Sequence, residues 1–277
     1  MSTLSTPTQS SDPASISAML KGLHMSGMEQ EYSRQLANLG KDGLLPFDVR
    51  LEKMCEAEIT RRNDNGTQKR LREAHLFIPM ACMEQVQVLP EREINMELYK
   101  RLATCDFIKQ KRNVAFEGAT GTGKTYLASA IGNAACRRGY RVCCVRLPDL
   151  LNQMTLARRQ GTATKMRDSY LKYDLLAIDE WLLYPITIDY TFELLEIVDA
   201  CSGKCSLLFC TQYPHSEWYK RIDADRPSGS SSTLAEAILD RIIHRMDVVS
   251  ISSKSSMRKR YSATGEPNGN TESAQKA

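Results

Sequence analysis

The chain has 277 residues, 42% of them apolar and 25% charged, the make-up of a soluble globular protein with room for one large domain and a smaller companion. Its formal charge of +4 is a mild excess that permits nucleic-acid binding without arguing for it. Its nine cysteines include no Cys-x-x-Cys pair, which argues against a zinc site or a disulfide framework and leaves reduced core thiols of a cytoplasmic protein as the expectation.

Residues 1–14 are rich in Ser, Thr and Pro and read as a disordered leader. They lack the basic and then apolar stretches of an export signal, and no later apolar run reaches the roughly 18 residues of a membrane span, so neither export nor insertion is expected. From Ser15 the pattern is helical: Ile16, Met19, Leu20 and Leu23 share a face that Met28, Tyr32, Leu36 and Leu39 continue, until Gly40 and Gly43 end it. A second helix starts after Pro46 and runs into Arg61-Arg62, and Asn63-Asp64-Asn65-Gly66 predicts a turn. A short basic helix then opens at Lys69 and stops before Pro79.

Residues 15–78 therefore read as a small all-helical domain with a basic edge at Arg61, Arg62, Lys69, Arg70 and Arg72. Such an edge suits a nucleic-acid backbone, where each cation replaces a condensed counterion. Interleaving with Glu52, Glu56, Glu58 and Glu73 leaves a plain solvated face equally open. Residues 79–112 read as a linker followed by a helix from Met96 through Ile108.

From Asn113 onward strands and helices alternate, the mark of a parallel sheet covered on both faces, so 113–261 reads as an α/β domain. The apolar run Asn113-Val114-Ala115-Phe116 leads into Gly118-Ala119-Thr120-Gly121-Thr122-Gly123-Lys124-Thr125, which fits G-x-x-x-x-G-K-[ST] throughout. The glycines let the backbone turn and bring N–H groups onto phosphate oxygens. Lys124 is expected on the β- and γ-phosphates of ATP and Thr125 on Mg²⁺, with the helix that continues through Tyr126 pointing its positive end at the anion.

Arg141 to Val145 is the next strand, with Cys143 and Cys144 on opposite faces. Leu147–Gln160 and Thr162–Lys172 read as helices. Arg158, Arg159, Lys165 and Arg167 form a second basic set, open to a DNA-facing or a solvated reading.

Asp174 to Glu180 is an apolar strand ending in two acids. Beside the phosphate-loop strand it would deliver Asp179 to the metal, held through water or through Thr125, and Glu180 as the general base for an attacking water. The acid pair favours ATP hydrolysis over a kinase or a switch. A helix from Asp189 to Ala200 follows, then a strand from Cys205 to Cys210 that ends in Thr211-Gln212, where Gln212 could lie between the γ-phosphate and that water. Pro214 to Tyr219 reads as a short helix, Ala224 to Thr233 as a flexible loop and Leu234 to Arg245 as a helix carrying Arg241. Val248, Val249 and Ile251 mark a last strand, and residues 262–277 read as a disordered tail.

In this order the motifs resemble the AAA+ ATPases of the IstB/DnaC group, and within it the IstB helpers of IS21-type insertion-sequence transposition. The resemblance rests on residues 20–28, 70–74, Gly118 to Leu127, 135–142, Ser216-Glu217-Trp218, 239–244 and Ser256-Met257-Arg258. It implies a P-loop AAA+ fold with a helical N-terminal domain that engages double-stranded DNA through its backbone. It further implies self-association into a ring or helical oligomer, with nucleotide held between subunits and an IS21-type transposase as partner. Within that resemblance Lys124, Thr125, Asp179 and Glu180 act in one subunit, Gln212 matches a first sensor where Asn is commoner, Arg241 matches an arginine finger, and Arg258 a second sensor. A DnaC-like helicase loader, a small-molecule P-loop kinase and a nucleotide-gated scaffold are the alternative readings.

Overall fold

The structure is a computed structural model that describes residues 12–86, 92–222, 224–226, 232–253 and 257. The expected tail, Arg258 and most of the expected leader lie outside those residues. The chain divides into two compact units, Met1–Lys69 and Arg70–Ala277.

The first unit is helical. Helix α1 (Pro13–Gly22) is started by Asp12, whose carboxylate accepts the Ala14 N–H at 3.1 Å. Helices α2 (Ser26–Ala37) and α3 (Leu39–Asp42) follow, and α4 (Phe47–Glu73) runs on past the end of the unit. The single helix expected from Ser15 to Leu39 is thus broken at its middle. His24 turns with φ 57°, and the new N-terminus is capped from α4, where Glu58 Oε2 accepts the Gly27 N–H at 2.7 Å. The expected turn at Asn63–Gly66 is absent, because α4 continues through all four residues.

The second unit is built on a six-stranded sheet. In chain order its elements are β1 (Arg92–Ile94), α5 (Met96–Ala103), α6 (Asp106–Lys109), β2 (Asn113–Glu117), α7 (Lys124–Arg137), β3 (Val142–Arg146), α8 (Leu147–Arg159), α9 (Ala163–Tyr170), β4 (Leu175–Asp179), α10 (Ile188–Cys201), β5 (Ser206–Thr211), a 3₁₀ turn at His215–Glu217, α11 (Trp218–Arg221), α12 (Thr233–Ile243) and β6 (Met246–Ser253). Strand β1 lies in the stretch expected to be linker and pairs antiparallel with β6, while the other neighbours are parallel. The strand order is β1-β6-β2-β5-β4-β3.

Alternate side chains feed two cores, one on each face of the sheet. From β4, Leu176 and Ile178 join α8, α10 and α12, while Leu175 and Ala177 join α5, α6 and α7. Cys143 and Cys144 split between the faces in the same way. This is the α/β P-loop arrangement expected from the alternation of elements. All parallel strands end on one side, so the loops after β2, β4 and β5 converge there.

Candidate nucleotide site

Strand β2 is buried along its whole length and hands the chain to the phosphate loop at Gly118. The backbone there takes φ values of 156° at Gly118, 83° at Gly121 and 88° at Gly123. A Cβ on Gly118 would stand 2.2 Å from the carbonyl oxygen of Ile251 in β6, so only glycine lets loop and sheet meet. The loop is pinned from within: Thr122 Oγ1 donates to the Ala119 carbonyl at 2.9 Å, and Lys124 Nζ donates to the carbonyls of Gly118 and Ala119 at 2.6 and 2.8 Å. Met257 N donates to the Gly121 carbonyl at 2.9 Å. With α7 starting at Lys124, backbone N–H groups and the positive helix end face one point, an anion cradle.

The acids stand beside it. Thr125 Oγ1 donates to Asp179 Oδ2 at 3.0 Å, and the Glu180 N–H donates to Asp179 Oδ1 at 2.9 Å. Glu180 takes φ 56° and brings its carboxylate to 3.6 Å from Arg146 Nε. The expectation that β4 lies next to β2 is corrected: β5 runs between them, paired to both. That insertion brings Thr211 beside Gly118, whose N–H donates to the Thr211 carbonyl at 3.2 Å; Gln212, the next residue, is exposed.

Oxygen donors from Thr125 and Asp179 suit a hard divalent cation such as Mg²⁺. Among the described residues no cluster of three or more His, Cys, Asp or Glu could hold a metal ion, so this ion would complete its ligands with phosphate oxygens and water.

Ala119 and Thr120 are exposed. Tyr126 turns away from the loop, its hydroxyl 3.2 Å from Gln85 Oε1 and donating to the Cys82 carbonyl at 3.4 Å, which fastens the 82–85 segment over the first turn of α7. Arg241 is not part of the cluster. It pairs with Asp199 at 2.7 Å and donates to the Ala237 carbonyl at 2.8 Å, near the end of α12 where the Ile242 carbonyl accepts from Asn113 Nδ2. Asn113 begins β2, so Arg241 sits at the opposite end of the sheet from the loop.

The basic residues are largely engaged. In the first unit Arg62 and Arg61 share Glu58 Oε1 at 2.6 and 3.8 Å, while Lys69 is exposed. In the second, Arg70 donates to the Cys136 carbonyl at 2.8 Å, Arg158 pairs with Glu193, and Arg167 pairs with Asp168 and Glu196. Arg72, Arg159 and Lys165 are exposed.

Four polar side chains near the loop carry no motif. Buried Glu117, the residue before the loop, accepts both the N–H and the Nδ1 of His215 at 2.8 and 2.9 Å. Arg146 ends β3 beside Glu180. Arg221 Nε and Nη2 donate to the carbonyls of Leu182 and Leu183 at 2.6 and 2.7 Å. Proximity in space rather than in sequence brings them in, and one chain alone offers no signal for it. A cleft of about 640 Å³ on the outer edge of β3, lined by His75, Phe77, Asp149 and Tyr170 among others, shares Arg146 with the site.

The family model described as IstB-like ATP binding protein matches residues 18–264. An insertion-sequence ATP-binding protein of Sinorhizobium fredii is 33% identical over 245 residues, covering 88% of this chain and 95% of that protein. The ATP-binding protein of insertion sequence IS1162 from Pseudomonas fluorescens is 32% identical over 199 residues, covering 72% and 86%. The solved structure of DnaI, 18% identical, superposes with a TM-score of 0.53 over 69% of this chain and 100% of that one, and shares the AAA+ fold. A match of this extent, with the phosphate loop and the acid pair intact, makes the chain a member of the IstB-like ATP-binding protein family.

Proposed function

We propose that this protein is an oligomeric, DNA-binding ATPase that hydrolyses ATP to assist an IS21-type transposase in handling target DNA. The reading is supported by its family, whose members include the ATP-binding proteins of insertion sequences. One observation carries it: Thr125, Asp179 and Glu180 stand together at the mouth of the loop, with the Thr125 hydroxyl 3.0 Å from Asp179. Phosphate exchanges the Gly118 and Ala119 carbonyls on Lys124 Nζ for its own oxygens. Thr125 and Asp179 would hold Mg²⁺, which would supply charge neutralisation to the phosphates. Glu180, released from Arg146, orients and deprotonates the attacking water, and Gln212 faces the γ-phosphate.

Arg241 serves a neighbouring copy, since a whole strand separates it from its own loop. A finger of this kind contributes about 10³ to 10⁵ in rate, or roughly 4 to 7 kcal/mol of barrier, so the isolated subunit hydrolyses slowly. DNA is gripped by its backbone, with exposed Arg72, Arg159 and Lys165 the first cations to test, and the complex loosens on hydrolysis.

The test is Glu180→Gln. Loss of the base lowers turnover by about 10² to 10⁴ while ATP and DNA binding persist, leaving a long-lived oligomer on DNA in light scattering. Turnover equal to wild type, or a monomer at every concentration with ATP and DNA present, sinks the proposal.

A further inference from the structure

The loop that follows the acid pair is held under strain. Glu180 and Leu182, both side-chain-bearing residues, take φ values of 56° and 51°, in the left-handed region that such residues rarely adopt. Between them, Trp181 is wholly buried against Phe209 and Trp218, with ring centroids 4.3 and 5.4 Å away. Among the described residues its indole Nε1 has no hydrogen-bond partner. A buried donor left unpaired is rare and opposes the conformation that creates it, so this loop stays where it is only because something else holds it.

Two contacts do so: the Trp181 backbone N–H donates to the Cys210 carbonyl of β5 at 2.9 Å, and Arg221 reaches the loop from the end of α11. Its guanidinium donates to the carbonyls of Leu182 and Leu183 at 2.6 and 2.7 Å, and its backbone carbonyl accepts the Ile186 N–H at 2.9 Å. The same guanidinium lies 3.6 Å above the centre of the Tyr213 ring, and Tyr213 directly follows Gln212. Trp218 Nε1 donates to the Tyr213 carbonyl at 3.2 Å. One cation thus grips the loop of Glu180 on one side and the strand tip of Gln212 on the other. A fork of donors on a flat face that can stack is specific to arginine.

We propose that Arg221 is a positioning residue for ATP hydrolysis, clamping the strained Glu180 loop to the Gln212 tip so that a change at one moves the other. The inference rests on the ATPase reading above and adds to it how the base is kept in register with the γ-phosphate side. The strained loop supplies the return: once the grip on Leu182 and Leu183 slackens, the backbone relaxes and the Trp181 indole N–H can find an acceptor.

The chain's two tryptophans, Trp181 and Trp218, both sit inside this clamp, so tryptophan emission, excited selectively over tyrosine, reports on it. The experiment compares wild type with Arg221→Met, which keeps the stem and loses the fork, and Arg221→Lys, which keeps the charge but can neither span two carbonyls nor stack. Each is titrated with a non-hydrolysable ATP analogue, by calorimetry for affinity and by tryptophan emission for the clamp, and assayed for turnover with DNA. The expected result is analogue affinity within about twofold of wild type, KM unchanged and kcat lower by about 10- to 100-fold, the scale of a small misplacement of a reacting group. In both variants the analogue no longer shifts the emission.

A melting temperature and an analogue affinity that fall together with kcat would mean a merely structural role, and an emission shift that survives in Arg221→Met would mean no coupling; either overturns the proposal. Should Arg221→Met unfold, Tyr213→Leu removes the stacking face alone, and an unchanged emission shift there overturns it equally. If wild type itself turns over no ATP with DNA present, the ATPase reading fails, while the binding and emission titrations still decide whether the clamp exists.

Discussion

Seven of the nine cysteines are buried, leaving Cys55 exposed and Cys82 half-buried. Desolvation pushes the thiols of Cys105, Cys136 and Cys143 up to about 11, because a thiolate inside the core loses its hydration. At pH 8 such a thiol is ionised about one part in a thousand, and only the thiolate reacts. A thiol reagent added to the native protein should therefore label Cys55 and Cys82 quickly and the other seven only on unfolding. Cys82 is joined through its backbone to Tyr126, one residue beyond Thr125, so ATP should slow Cys82 and leave Cys55 unchanged. Mass spectrometry of labelled peptides reads both rates, and equal protection of the two would argue against nucleotide at this loop. At this scale the site was half legible. The phosphate loop and Asp179-Glu180 announce themselves because their chemistry fixes residue types at short spacing. Glu117, His215, Arg146 and Arg221 do not, since their hydrogen-bond and ion-pair partners lie 34 to 98 residues away along the chain.

Elements were legible where periodicity decides and illegible where packing decides. Strands β2, β4 and β5 stand where apolar runs mark them, whereas β1 is a strand only because β6 pairs with it. Helix α4 overrides Asn63-Asp64-Asn65-Gly66, whose helix preferences fall short of alanine by about 0.5 to 1 kcal/mol each, a deficit that a helix 27 residues long absorbs. The break before α2 is the reverse case, a helical pattern interrupted by a tertiary contact. There Gly27 lies so close to α4 that a Cβ would stand 2.7 Å from the Ala57 carbonyl oxygen and from the Glu58 Cα. Gly27→Ala must push the two helices apart and loosen the Glu58 cap on the Gly27 N–H. Overpacking of this kind costs about 1 to 3 kcal/mol. Hydrogen exchange on the full-length protein should show that loss in the α2 amides, with β2 and β5 unchanged; undiminished α2 protection would mean that the contact is looser than it stands here.

At the scale of the whole molecule the order of strands decides which groups one nucleotide can meet. Sequence alone could not give that order, because buried parallel strands are near-identical apolar runs, and β4 was accordingly expected one place too near β2. With β5 between them, the loops after β2, β4 and β5 share one end of the sheet, and Arg241 falls at the other. Five residues of β2 at about 3.3 Å each put roughly 13 Å or more between Arg241 and Gly118, beyond the reach of a side chain already turned toward Asp199. If Arg241 acts in hydrolysis it must act on the nucleotide of another copy, in a head-to-tail contact. Lys124→Ala and Arg241→Ala should then each abolish turnover alone, since every interface lacks either the cradle or the finger. Mixed in equal amounts and allowed to exchange, they should regain turnover at about a quarter of the interfaces, those that pair an intact cradle with an intact finger. Mixtures that stay inactive although both variants fold and co-assemble would leave Arg241 as no more than the surface partner of Asp199.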